Sequence, residues 1–184
     1  MIAASVKQEA LDLMELHRSE GRDIYIVSSS PEEVVRPLAQ HFGVAGVLAT
    51  RARIEDGRYT GELEFYCYGE GKAEAIRSLA QDRGIDLGSS YAYSDSATDL
   101  PMLRTVGHPV AVNPDKELRK EAEAKGWDIR DFRRPVRLRT RIVQTAAHPR
   151  TRVAAGLVAA TAAAAIVLWL VVRSRLSDRR ATAV

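Results

Sequence analysis

Residues 23–42 read DIYIVSSSPEEVVRPLAQHF. Ile24 to Val27 is a short apolar run, and it reads as a buried strand. Ser30, Pro31 and Glu33 then supply the signals of a helix start: a capping hydroxyl, a proline at the first helical position and a capping-box glutamate. Val34, Val35, Leu38, Ala39 and Phe42 fall on one face of that helix. A strand that feeds directly into a helix is half of a parallel βαβ unit.

The pattern continues on both sides. Upstream, Val6, Ala10, Leu13, Met14 and Leu16 make an amphipathic helix over residues 6–20, stopped by Gly21. Downstream, Arg51 to Glu64 reads as a hairpin turned at Asp56-Gly57. A helix runs from about Lys72 to Asp82 and ends near Gly84. Tyr91 to Tyr93 is a strand, followed by an acidic turn and a helix from Leu100 to Val106. Val110 to Val112 is a strand, a helix follows from about Asp115 to Lys125, and Trp127 to Ile129 is the last strand. Strands alternating with helices predict an α/β fold with a doubly wound parallel sheet.

The composition fits one globular domain: 184 residues, 46% hydrophobic and 28% charged. A single cysteine, Cys67, excludes an internal disulfide and a multi-thiolate zinc site. The net charge of +3 hides a split. Residues 1–129 carry 15 basic and 22 acidic side chains, while residues 130–184 carry 12 arginines and 2 aspartates. The acidic body argues against nucleic acid as a partner.

Val153 to Val172 contains 20 residues without a charge, nine of them Val, Leu or Ile. As a helix it would be about 30 Å long, the thickness of a bilayer core. Arginines flank it, and Trp169 lies near one end. The expectation is a single-pass C-terminal membrane anchor with the body cytoplasmic, residues 130–152 an arginine-rich linker able to attract anionic lipid, and residues 173–184 a basic tail. The core would then be residues 1–129.

In doubly wound sheets, ligands bind at the carboxyl ends of the strands. Ser28 ends a strand ahead of a helix N-terminus, where hydroxyl, amides and dipole favour an anion; serines are also common there as caps. Asp95 and Asp99 stand four apart just after the strand at residue 93. They suit one Mg²⁺ through hard oxygen ligands, or one of them simply caps a helix. Lys72 follows Gly69-Glu70-Gly71 at a helix start, against the dipole, so either an anion offsets it or it is a solvated surface group.

The order strand-Ser, Gly-x-Gly-Lys and strand-Ser-Asp-x-x-x-Asp resembles the haloacid dehalogenase superfamily, and within it the phosphoserine phosphatase-like branch. ATRARIEDGRYTGEL resembles that branch's hairpin segment, and YSDSATDLPML its acidic motif. The resemblance implies a Mg²⁺-dependent phosphomonoester hydrolase. Ser28 and Ser29 would bind the phosphoryl group, Lys72 would bind it and act catalytically, and Asp95 and Asp99 would hold the metal. The substrate would be a small phosphorylated metabolite or a lipid phosphate.

The family's nucleophile stands in an Asp-x-Asp-x-Thr motif on a central first strand. No Asp-x-Asp occurs in this sequence. The expectation is therefore an N-terminally truncated form lacking that strand and the cap domain, inactive by itself. The alternative is a non-catalytic membrane-tethered scaffold.

Overall fold

The structure is a computed structural model that describes residues 5–137. The elements are β1 (Ser5–Lys7), α1 (Gln8–Ser19), β2 (Tyr25–Pro31), α2 (Glu32–Phe42), β3 (Gly46–Glu55), β4 (Arg58–Phe65), α3 (Glu70–Arg83), β5 (Tyr91–Ser94), a 3-10 turn (Ala97–Asp99) running into α4 (Leu100–Leu103), β6 (His108–Val112), α5 (Lys116–Lys125), β7 (Asp128–Arg130) and β8 (Pro135–Arg137).

The predicted parallel α/β architecture is present, divided into two half-sheets. β2 pairs parallel with β3, and β5, β6 and β7 pair parallel in that order. Among the described residues β2 and β5 are each hydrogen-bonded on one side alone. They nevertheless share a core. Val27 and Ala92 belong to one buried cluster, with Ile76, Met102, Leu103, Ala111 and Leu118. Ile24 and Tyr93 belong to a second, with Leu13, Met14 and Val110. Tyr25 and Val27 of β2 therefore face α3 to α5 on one side, while Ile24, just before the strand, faces α1 and Ile26 faces α2 on the other, as a doubly wound sheet requires. Each fully buried Ile, Val or Leu stabilises this arrangement by about 1.5–3 kcal/mol.

Several local expectations change. The helix after β2 starts at Glu32, and no side chain caps it. Ser30 is not the N-cap, because its backbone N–H donates to Ser28 Oγ at 3.1 Å and holds residues 28–31 extended. On α1, Leu16 is exposed and His17 is buried in the core stripe instead. The ring of His17 meets Tyr93 Oη at 2.7 Å through Nε2 and Arg22 Nη1 at 2.9 Å through Nδ1. A guanidinium only donates, so Nδ1 accepts and the proton sits on Nε2.

The hairpin forms as read. Asp56 (φ 49°) and Gly57 (φ 73°) give the left-handed pair of a type I′ turn. β3 begins earlier than expected, since residues 46–50 pair parallel with β2 before the strand joins β4. Opposite the turn, Arg53 bridges Glu55 and Glu62, while Ile54, Tyr59 and Leu63 are exposed.

The boundary at residue 129 also moves. β8 pairs antiparallel with β1, and Arg134 bonds to Glu9 at 3.1 Å and Asp12 at 3.2 Å on α1. Residues 130–137 are thus part of the folded body rather than linker. The membrane localisation expected from the sequence is corrected: among the described residues no helix is long and apolar enough to cross a membrane. The stretch 153–172, the rest of the linker and the basic tail lie outside the described residues, and lipid partners have no support within them.

Candidate active site

Lys72 opens the site. It lies on the first turn of α3 and is buried, with 5% of its surface exposed. Its Nζ donates to Asp99 Oδ1 at 2.6 Å. Asp99 is itself 1% exposed, and its other oxygen accepts the Ser94 hydroxyl at 2.7 Å. The lysine is therefore no solvated surface group. A buried charge must be paired, and here the pairing fixes the ammonium in place.

Two glycines make this helix start feasible. Gly69 has φ 53°, a conformation that disfavours side chains. At Gly71 a Cβ would lie 2.3 Å from the carbonyl oxygen of Tyr66. We expect Gly71→Ala to destabilise the chain by about 1–3 kcal/mol through this overlap. Urea unfolding of the variant against wild type measures it, and an unchanged midpoint would show that the loop yields freely.

Ser28 is buried where the regular pairing of β2 with β3 ends, and Ser29 is exposed. Thr50, which the sequence reading passed over, fixes this turn. Its Oγ1 donates to the Ser29 carbonyl at 2.8 Å and accepts the N–H of Cys67 at 3.2 Å. Cys67 joins the turn to the lysine. Its thiol receives a backbone hydrogen bond from Ser28 and feels the charges of Lys72 and Asp99. Burial pushes the thiol up to about 11, above the effect of Lys72. It is thus protonated near neutrality, and a thiolate nucleophile is not what this site offers.

Asp95 follows β5. Partial burial raises its carboxyl above the ordinary value, and the charges of Asp99 and Asp115 add to this; its own backbone N–H and Lys72 act against it. The acidic turn is ordered by Ser94 Oγ, which accepts the Ser96 N–H at 3.2 Å, and by Asp115, which accepts the Ala97 N–H at 2.8 Å. Ser94 and Asp115, like Thr50, are ordinary residues in the sequence and gain their meaning from distances alone.

The structure brings Lys72, Asp99 and Ser94 into one buried network with Asp95 at its margin. It does not present Asp95 and Asp99 as two equal metal ligands, because both oxygens of Asp99 already have partners. No group of three His, Cys, Asp or Glu side chains suited to a metal occurs among the described residues. Mg²⁺ commonly takes one or two carboxylates and keeps several waters. The raised, partly buried carboxyl of Asp95 fits such an ion as one ligand of an incomplete set.

The comparison with known proteins now bears directly on this network. Residues 2–104 match the haloacid dehalogenase-like hydrolase family. The chain belongs to that family. It is 50% identical over 173 residues to a protein named as a probable phosphatase from Mycobacterium tuberculosis, covering 94% of this chain and 60% of the relative. It is 41% identical over 134 residues to a phosphoserine phosphatase of the same organism, covering 72% of this chain and 44% of that one. A solved substrate-bound phosphoserine phosphatase shares the fold, with a TM-score of 0.55 at 24% identity over 68% of this chain and 58% of that chain. The haloacid dehalogenase-like chain thus spans between about two fifths and three fifths of the length of these curated relatives. The family is the one that the sequence motifs resemble.

Proposed function

We propose that this chain is the phosphate-binding and cation-binding part of a phosphomonoester hydrolase acting on a small phosphorylated metabolite. The observation that carries the reading is the buried ammonium of Lys72, held by Asp99 at 2.6 Å and acting on the Cys67 thiol that the Ser28 backbone also bonds. A fixed, desolvated cation is suited to a phosphoryl group whose charge grows during transfer.

In this reading Ser28 and the amide of Ser29 hold the phosphoryl oxygens and Lys72 neutralises them. Asp99 and Ser94 position the lysine, and Asp95 is a ligand for Mg²⁺, with Asp99 supporting from behind. A bound Mg²⁺ would supply Lewis-acid neutralisation of the same charge. The nucleophile belongs to an Asp-x-Asp strand. Among the described residues β2 and β5 each pair on one side alone and share a core, so that strand would fit between them. The relatives favour phosphoserine or a similar metabolite ester. Four positions differ from the usual phosphoserine pattern: Ser29 and Ser30 in place of Gly-Gly, Ser94 in place of Gly and Thr98 in place of Asn. The scaffold reading has only the lack of Asp-x-Asp in its favour, and a scaffold has no need of a buried lysine–aspartate pair.

The test joins this chain to the part of the Mycobacterium tuberculosis relative that it does not cover. We expect Mg²⁺-dependent phosphate release from phosphoserine or a small ester, and Asp95→Asn should lower it about a hundredfold. The 184-residue chain alone should release none. Equal turnover in the Asp95→Asn chimera would overturn the assignment of Asp95.

A further inference from the structure

One carboxylate in this region makes more contacts than its helix requires. Asp115 is the N-cap of α5: its Oδ1 accepts the Leu118 N–H at 2.8 Å, as a cap should. Its Oδ2 turns away from the helix and accepts the N–H of Ala97 at 2.8 Å. Its backbone N–H donates to the carbonyl of Asp95 at 2.8 Å. Thus the two atoms on either side of the acidic turn, the Asp95 carbonyl and the Ala97 amide, both end on this one residue.

The loop that carries Asp115 is itself pinned. Asn113 has φ 46° and exchanges two side-chain hydrogen bonds with the backbone of Phe132, both at 2.9 Å. Its backbone N–H donates to Arg130 at 2.9 Å. A rigid path therefore runs from residues 130–132 through Asn113 to Asp115 and on to Asp95 and Ala97. Serine or asparagine would cap α5 nearly as well as aspartate. Only a carboxylate presents two acceptor oxygens, one for each of these N–H groups; the second atom of an asparagine is a donor and would face the Ala97 N–H.

We infer that Asp115 is a positioning residue for the cation site at Asp95, using one carboxylate to lock the acidic turn to the start of α5. The inference rests on the reading of Asp95 as a cation ligand. Groups that orient a metal ligand from behind typically change affinity by about 10–100-fold when removed.

The experiment uses the 184-residue chain and Mn²⁺ alone, with free Mn²⁺ followed by electron paramagnetic resonance. Asp115→Ser keeps a helix cap and removes the second oxygen. It should bind Mn²⁺ about tenfold more weakly while its melting temperature stays within about 5 °C of wild type. Asp115→Glu keeps the charge but displaces the oxygens, and should also weaken binding. Retained affinity in Asp115→Glu beside a loss in Asp115→Ser reduces the role to charge and overturns the positioning. Unchanged affinity in Asp115→Ser, with binding abolished in Asp95→Asn, overturns the inference and leaves the cation reading standing. Binding that is absent in wild type, or unaffected by Asp95→Asn, removes the cation reading and this inference together.

Discussion

Lys72→Ala should lower the stability of the chain by about 3–5 kcal/mol, because it leaves the carboxylate of Asp99 buried with no cation. Asp99 is 1% exposed and, among the described residues, accepts the Ser94 hydroxyl besides the lysine. One neutral hydrogen bond does not replace a charge partner at 2.6 Å. The second arm removes both charges. Lys72→Met combined with Asp99→Leu should recover most of the loss, since an apolar pair of similar volume avoids the desolvation penalty. Urea unfolding of the three proteins decides the matter. If the single variant loses less than about 1 kcal/mol, water reaches Asp99 and the pair is not the buried anchor described above. In the extended enzyme, Lys72→Ala should also cut turnover by about 10²–10³-fold, the usual effect of losing one preorganised charge-stabilising group.

The chain should also lose stability in mild acid. Burial pulls His17 down from 6.5 to about 4, with the nearby charges of Arg22 and Arg130 adding to the effect. The folded state therefore keeps the ring neutral between pH 4 and 6.5 while the unfolded chain takes up a proton. More protons bound on unfolding means stability rises with pH in this window. The contribution is complete above pH 6.5 and fades as pH falls towards 4. Its full size is about 3 kcal/mol, and about 2 kcal/mol of it should disappear by pH 5. Protonation would put a hydrogen on Nδ1, which is accepting from Arg22, so the bond would become a clash of donors. His17→Gln should be less stable at pH 7 yet show a flatter profile from pH 7 to 5. Parallel profiles for the two proteins would show that another group sets the acid sensitivity.

The sequence disclosed the parts of the fold that repeat. β2, β5 and β6 are short apolar runs followed by helix signals, and Asp56-Gly57 marks its own turn. It did not disclose β1 and β8, which are three residues each and pair across the whole described chain. No periodicity exists in three residues, and the pairing is fixed instead by Arg134 on Glu9 and Asp12. Residues 46–50 were missed as strand because their partner, β2, is distant in sequence. At the site, Ser28, Lys72, Asp95 and Asp99 were singled out by their places at strand ends and a helix start and by the family resemblance. Thr50, Ser94 and Asp115 were not, since serine, threonine and aspartate occupy turns everywhere. The serine N-cap of α2 failed for a related reason: Ser28 competed for the Ser30 N–H and kept the chain extended. His17 was concealed by Leu16, which a hydrophobic stripe would choose first.

The single thiol of this protein also works as a clock. Cys67 has no exposed surface, and its proton is held to about 11, so an alkylating reagent has no thiolate to meet while the chain is folded. Labelling must wait for the core around Val27 and Ile76 to open. With closing faster than labelling, the rate of modification follows the open fraction, and its ratio to the rate in urea gives the opening free energy. No tag or introduced cysteine is needed, because the sequence contains only this one. The same reading reports on every variant named above in its native buffer.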